Sequence, residues 1–474
     1  MSCVLAIDQG TSGTKAAVVD SDGCIRGLAE RPVAPDYRAD GAVEQDPMAL
    51  LESVLAAGRA AIAQAGCEVD IVTLANQGET VLAWDPETGA PMSRMIVWQD
   101  RRAASICTEL AGKRERLAEK TGLMLDPYFS APKLAWLRRH VTRDGVVTTS
   151  DAWLIHQLTG AFVTDVTTAS RSALCGLDTL AWDRELLDWF GLADERLPEI
   201  VACDEIVGET TAFGRPTPVG GLVVDQQAAL IGQSCLAPGE AKCTFGTGAF
   251  LLAQIGETPR GSRHGLTTSA AWQLRERSSY CVDGQVYTAA SAIRWLIELG
   301  WIESAAELDR VAAADSEGAL CVPSFAGLAA PWWQSQARAQ FTGMNLATGA
   351  PHLVLAVLEG IAAQVAELVD LIGADFEQPL TRLRVDGGLT QSRRLMQAAA
   401  DLCQLPIEVY PDAHATPLGA AALARMAMNP DQEARLADAV VAWQPSAVYE
   451  PAWSPDRAAT FREGWRRQIP VGDD

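Results

Sequence analysis

Two stretches of the chain join an apolar strand to a turn made of glycines and hydroxyls. The first runs Ile7-Asp8-Gln9-Gly10-Thr11-Ser12-Gly13-Thr14-Lys15, between the apolar runs Val4 to Ile7 and Ala16 to Val19. The second runs Phe245-Gly246-Thr247-Gly248-Ala249-Phe250. Each predicts a β-hairpin with a glycine-rich turn. Glycine lets a ligand approach the backbone. Free N–H groups in the turn, the hydroxyls of Thr11, Ser12 and Thr14, and the ammonium of Lys15 could together cradle a phosphate. Asp8, at the end of the first strand, faces the same place and is a candidate Mg²⁺ ligand. An ordinary polar turn has the same composition, so the first hairpin alone leaves both readings open. It is not a Walker A loop: Gly10 and Lys15 are too close together and no helix follows.

A third informative place is Gly220-Gly221-Leu222-Val223-Val224-Asp225-Gln226-Gln227. An apolar strand ends in a carboxylate and a small-residue helix begins at once. Ligands of open α/β sheets bind at such strand ends. Taken alone, Asp225 reads more naturally as a helix N-cap. A further strand-then-glycines turn is Leu383-Arg384-Val385-Asp386-Gly387-Gly388. The repetition points to a duplicated fold, one phosphate hairpin per half, facing a shared cleft.

The elements that must position these residues can be read along the chain. Antiparallel strands open it. Asp46-Pro47 starts a helix through Ala65, and Ile71 to Ala75 and Val81 to Trp84 are strands around Asn76-Gln77-Gly78-Glu79-Thr80. Ile96-Val97-Trp98 leads into a helix opened by Gln99 to Arg102, and another helix begins at Pro132. Asp151 to Leu158 and Asp183 to Phe190 are helical, with Thr164 to Arg171 a loop-rich stretch between them. Leu358, Ile361, Val365, Leu368 and Ile372 form a helical core stripe that Gly373 stops. Thr416 to Ala422 starts a small-residue helix, and a helical tail follows Asn429.

A chain of 474 residues has room for two or more domains, and 48% hydrophobic with 21% charged residues describes a globular protein. A net charge of −22 without a basic stripe argues against nucleic acid or an anionic membrane as partner. The 11 cysteines are scattered, with no C-x-x-C pair, and read as free thiols of a reducing, cytoplasmic compartment. No signal peptide and no apolar run of membrane-spanning length is recognised.

In order and spacing, these motifs resemble the actin-like ATPase superfamily. More narrowly, the chain is similar to the FGGY carbohydrate kinases, and among them to the glycerol-phosphorylating branch. Further stretches carrying the resemblance are Asp126-Pro127-Tyr128-Phe129-Ser130 through Lys133 to Leu137, and Phe341-Thr342-Gly343-Met344 through His352 to Glu359. The resemblance implies two actin-like (ribonuclease H-like) α/β domains with a cleft between them. Residues 1–236 would bind the sugar or polyol and carry the first phosphate loop. Residues 237–474 would carry the second loop and bind adenosine. It implies ATP-dependent phosphorylation of a primary hydroxyl, with ATP and Mg²⁺ required, glycerol the leading acceptor, and a dimer or tetramer possible. Asp225 would be the general base, and Glu79, Trp98, Tyr128, Gln226 and Phe250 would line the acceptor pocket. Thr11, Ser12, Gly13 and Lys15 would hold phosphate in one hairpin and Thr247 in the other. Ala290, Arg294, Gly388 and Ser392 fall on the nucleotide contacts, and Asp8 lies near Mg²⁺. One departure stands out. The family's glycerol-binding arginine between Gln77 and Glu79 is Gly78 here, which removes donors and opens space for a longer polyol or a ketose such as erythritol, xylulose or ribulose.

Overall fold

The computed structural model describes residues 3–38, 41–334, 336–376, 379–429 and 435–469. Val4–Gln9, Gly13–Val19 and Ile25–Pro32 form an antiparallel meander. The helix Pro47–Ala65 then crosses over, and Ile71–Asn76 joins Val4–Gln9 in parallel on its other side. The Asp46 carboxylate accepts the Met48 and Ala49 N–H groups, Pro47 needs no N–H partner, and Gly66 in the left-handed region ends the helix.

The second half repeats the plan. Ala241–Phe245 pairs antiparallel with Ala249–Gly256, which pairs antiparallel with Arg277–Val286. Leu383–Asp386 lies parallel on the other side of Ala241–Phe245, reached through the helix Ala350–Phe376. Even the turn glycines correspond. A Cβ at Gly13 would overlap the Arg31 carbonyl, and one at Gly248 would overlap the Val286 carbonyl. Each hairpin is thus pressed against its own third strand, and only glycine fits there.

Several expectations need correction. Thr164 to Arg171 is not a loop: Val163–Asp165 is a strand and Val166–Ser170 a short helix, capped by the Asp165 carboxylate on Thr167 and Thr168 N–H. The core helix runs past Gly373 to Phe376, because its buried stripe outweighs the ~1 kcal/mol that a glycine costs in a helix interior. The chain after Asn429 is not simply helical, since Ala447–Tyr449 forms an edge strand on Ile407–Val409. Cys3 and Cys67 form a disulfide, so not all cysteines are free thiols. Two helices, Pro47–Ala65 and Ala350–Phe376, are long and apolar enough to cross a membrane, contrary to the reading of the sequence. The apolar window of the second is 89% buried in the second domain's core. The first packs against Gly13–Val19 and Ile25–Pro32.

One helix belongs to the second half by sequence and to the first by packing. Ala415–Met428 lies on the helix Asp225–Gly232 and on the strands Val4–Gln9 and Ile71–Asn76. Gly419 sets the closeness, as a Cβ there would overlap the Ala228 carbonyl.

Candidate active site

Asp225 is the first residue of its helix. The N-cap position falls on Val224, so the Asp225 side chain is not the capping group expected from the residue alone. The carboxylate instead faces a cavity of about 190 Å³ between the two domains. Burial, together with the carboxylates of Asp8 and Glu79, pushes its carboxyl up to about 7, against the opposing pull of Lys242.

The cavity gathers most of the expected residues. Thr11, Ser12, Glu79, Trp98, Tyr128, Asp225 and Gln226 line it from the first domain, and Thr247 and Phe250 from the second. The Trp98 indole meets Tyr128 and Phe250 edge-on at 5.7 and 5.8 Å, so the aromatic wall spans both domains. Trp98 Nε1–H also donates to Thr11 Oγ1 at 2.9 Å, which ties that wall to the first hairpin. Below Tyr128 the buried Lys133 ammonium donates to the carbonyls of Pro127, Tyr128 and Phe129, fixing the loop that carries the ring.

Glu79 is held in two ways. Its backbone sits at φ 56°, in the left-handed region that a residue with a long side chain rarely adopts. Such strain persists where the surroundings fix it, and it clusters at functional sites. Its buried carboxylate accepts from Arg171 Nε. Arg171 in turn donates Nη1–H to Asp283 Oδ1 at 2.9 Å, across the domain boundary. Burial raises the Glu79 carboxyl, and Arg171 opposes the rise. Sequence reading missed Arg171, and also Tyr37, Gln99, Gln227, Thr244 and Gly246 on the cavity wall. The only available signal for Arg171 was a lone cation in a run of hydroxyl residues.

Other expected residues lie outside the cavity lining. In the first hairpin, Lys15 stands across from Asp8 in register and donates to the Ala413 carbonyl at 3.3 Å. Gly13 closes the turn by accepting the Gly10 N–H. On the second domain, the Ala290 N–H donates to the Gly246 carbonyl, and Arg294 is exposed. Gly388 is exposed with open space where a side chain would be. The Ser392 hydroxyl is engaged: it caps the helix Arg393–Cys403 and donates to Asp309 at 2.8 Å.

Among the described residues no group of three or more His, Cys, Asp or Glu side chains could hold a metal by itself. Asp8 nonetheless fits Mg²⁺. Burial pushes its carboxyl up to about 6 with only Lys15 opposing, so a cation there would be stabilised. Mg²⁺ is commonly held by one or two carboxylates completed by phosphate oxygens.

Known proteins share both sequence and fold with this chain. Residues 3–232 match the N-terminal domain of the FGGY family of carbohydrate kinases, and residues 241–428 match its C-terminal domain. The chain is 40% identical to a glycerol kinase of Trichlorobacter lovleyi over 489 residues, covering 99% of this chain and 98% of that one. It is 39% identical to a glycerol kinase of Thermus brockianus, with 99% and 98% covered. The Plasmodium falciparum glycerol kinase crystallised with ADP superposes with a TM-score of 0.90 at 31% identity, over 99% of both chains. A xylulose kinase of Lactobacillus acidophilus shares the fold at a TM-score of 0.89 and 22% identity, over 98% of this chain and 97% of that one. With both of its domains matched and its cavity built where they meet, the chain belongs to the FGGY family of carbohydrate kinases.

Proposed function

We propose that the protein transfers the γ-phosphoryl group of ATP to a primary hydroxyl of glycerol, giving glycerol 3-phosphate. The observation that carries this reading is Asp225: a carboxylate with its pKa near 7, at a helix start, inside a cavity walled by both domains. A general base works best with a pKa near the operating pH. Phosphoryl transfer otherwise needs positioning and charge stabilisation.

Asp225 takes the proton from the attacking hydroxyl. Glu79, fixed by Arg171, accepts a second hydroxyl, and the Trp98, Tyr128 and Phe250 rings cover the acceptor's C–H face. Hairpin N–H groups with Thr11, Ser12 and Thr247 face the phosphates, and Asp8 would hold Mg²⁺, which neutralises phosphate charge when bound. Closure of the domains excludes water, the competing acceptor. A coupled assay for ADP release with glycerol, erythritol, xylitol, xylulose and ribulose tests the reading. Preferred turnover of glycerol supports it, and no turnover of any would overturn it.

A second reading, a longer polyol or ketose, is favoured by one observation. Gly78 lines the cavity, and a Cβ there would approach only Val224 Cγ2, at 3.1 Å. The same panel separates the two readings by rank order.

A further inference from the structure

Beneath the cavity lies a buried lysine that the mechanism above does not use. Lys242 is fully buried, the second residue of the strand Ala241–Phe245. Its ammonium donates to Gln226 Oε1 at 2.5 Å and to Thr244 Oγ1 at 2.9 Å. Thr244 Oγ1 lies 2.6 Å from Asp386 Oδ1. Gln226 and Thr244 both line the cavity, and Asp386 precedes the Gly387–Gly388 turn.

Chemistry fixes the direction of every bond in this chain. An ammonium has no acceptor, so Gln226 must present its carbonyl to Lys242 and its NH₂ elsewhere. The amide orientation follows from the network. Gln226 can therefore donate its NH₂ to a ligand on its cavity side. Thr244 likewise accepts from Lys242, so its single proton goes to Asp386. Residues 242 and 244 share one face of the strand, and they sit in register with Arg384 and Asp386 of the parallel neighbour. The Gly387 backbone packs on Phe245, so the turn after Asp386 cannot shift without moving this strand. Gln226 belongs to the first domain and the other three groups to the second. The row thus crosses from the acceptor pocket to the turn expected to face adenosine.

We propose that Lys242 is a positioning residue that couples acceptor binding to nucleotide binding, through Gln226 on one side and through Thr244 and Asp386 on the other. The inference rests on the kinase reading. An acceptor that accepts a hydrogen bond from Gln226 fixes the amide, which fixes the ammonium, which holds Thr244 and Asp386 in the arrangement that meets the nucleotide. Linkage makes the effect reciprocal.

The test is calorimetric titration of ADP, alone and with the polyol that wild type phosphorylates fastest among glycerol, erythritol and xylitol. In wild type the polyol should tighten ADP binding by roughly fivefold or more. Lys242→Met and Thr244→Val should each reduce that gain below about twofold, with ADP affinity in the absence of polyol kept within about threefold. A general packing defect would weaken both titrations alike. Should Lys242→Met not fold, Thr244→Val carries the test, because it keeps shape and strand propensity and removes only the hydroxyl that joins Lys242 to Asp386. Unchanged coupling in a folded variant, or a wild type that binds both ligands independently, overturns the proposal alone. A wild type that binds neither ADP nor any polyol overturns the kinase reading and this proposal with it.

Discussion

Replacing Arg171 by methionine should be the most damaging single change at the pocket that leaves the reacting atoms in place. The guanidinium is 7% exposed and stands between two carboxylates, Glu79 and Asp283, each 4% exposed. Its removal leaves two buried carboxylates without the cation between them, although Asp283 still accepts from the Gln285 amide. Breaking a buried pair in this way costs about 3–5 kcal/mol. That figure agrees with the ~4 kcal/mol of two unit charges at 4 Å in an effective dielectric of about 20. At roughly 2–4 °C per kcal/mol for a domain of this size class, the melting temperature should fall by roughly 6–20 °C at pH 7.5. The deficit should shrink on acidification. In the variant the Glu79 carboxyl rises further above its unfolded value, so the folded state binds more protons than the unfolded state, and stability relative to wild type is regained as pH falls toward 5. The triple variant Arg171→Met, Glu79→Gln, Asp283→Asn should recover most of the melting temperature but not acceptor affinity, since Glu79 no longer accepts as a carboxylate. A loss below about 1 kcal/mol, or a triple variant no more stable than the single one, would refute the claim that the three groups form one buried ionic unit.

Asp225→Asn should fold normally and lower kcat by ~10²–10⁴-fold, and wild-type turnover would remove Asp225 as the base. With its carboxyl at about 7, the acceptor kcat/KM should fall as pH drops through 7 while Asp225 becomes protonated, and the fall should vanish in Asp225→Asn. A flat profile between pH 6 and 8 in wild type would count against the assignment. Gly78→Arg should shift preference toward glycerol over erythritol by roughly tenfold, the worth of one charge-assisted hydrogen bond. An unchanged ratio in a competition assay would show that position 78 does not select the acceptor.

Much of the cavity was legible in the sequence because its residues sit at strand ends and turns. The two hairpins announce themselves through glycine and hydroxyl spacing, and Asp225 through an apolar strand that stops at a carboxylate. Glu79, Trp98, Tyr128 and Phe250 came through their family motifs, and all four meet in one cavity. Arg171 was hidden for two reasons. Its neighbours Val166–Ser170 are mostly β-branched or hydroxyl residues with weak helix propensity, so the sequence carries no helical signal for the turn that aims it. Its partner Asp283 lies 112 residues away, a pairing no local pattern encodes. The Cys3–Cys67 disulfide, 64 residues apart, was hidden in the same way. Nothing in the local sequence marks Lys242, whose buried charge is answered by Gln226, Thr244 and nearby carboxylates.

The helix Ala415–Met428 bears on how such a chain can be made. Its Leu418, Ala421, Ala424 and Ala427 cover a face of the first sheet formed by Val4, Ala6, Ala17, Val19 and Ile71. Arg425 donates to the Asp20 carbonyl, 405 residues earlier in the chain. At ~5–20 residues per second, a ribosome delivers that cover roughly 20–80 s after the strands it protects. Throughout that interval the nascent first domain carries a bare apolar surface, a substrate for chaperones and for premature association. A fragment of residues 1–236 should accordingly sediment unless a peptide of residues 411–429 is supplied in trans, and a monomeric, cooperatively unfolding fragment would show that the late helix is dispensable. The order of synthesis and the order of packing run against each other here: the first sheet gains its cover only once Met428 has emerged.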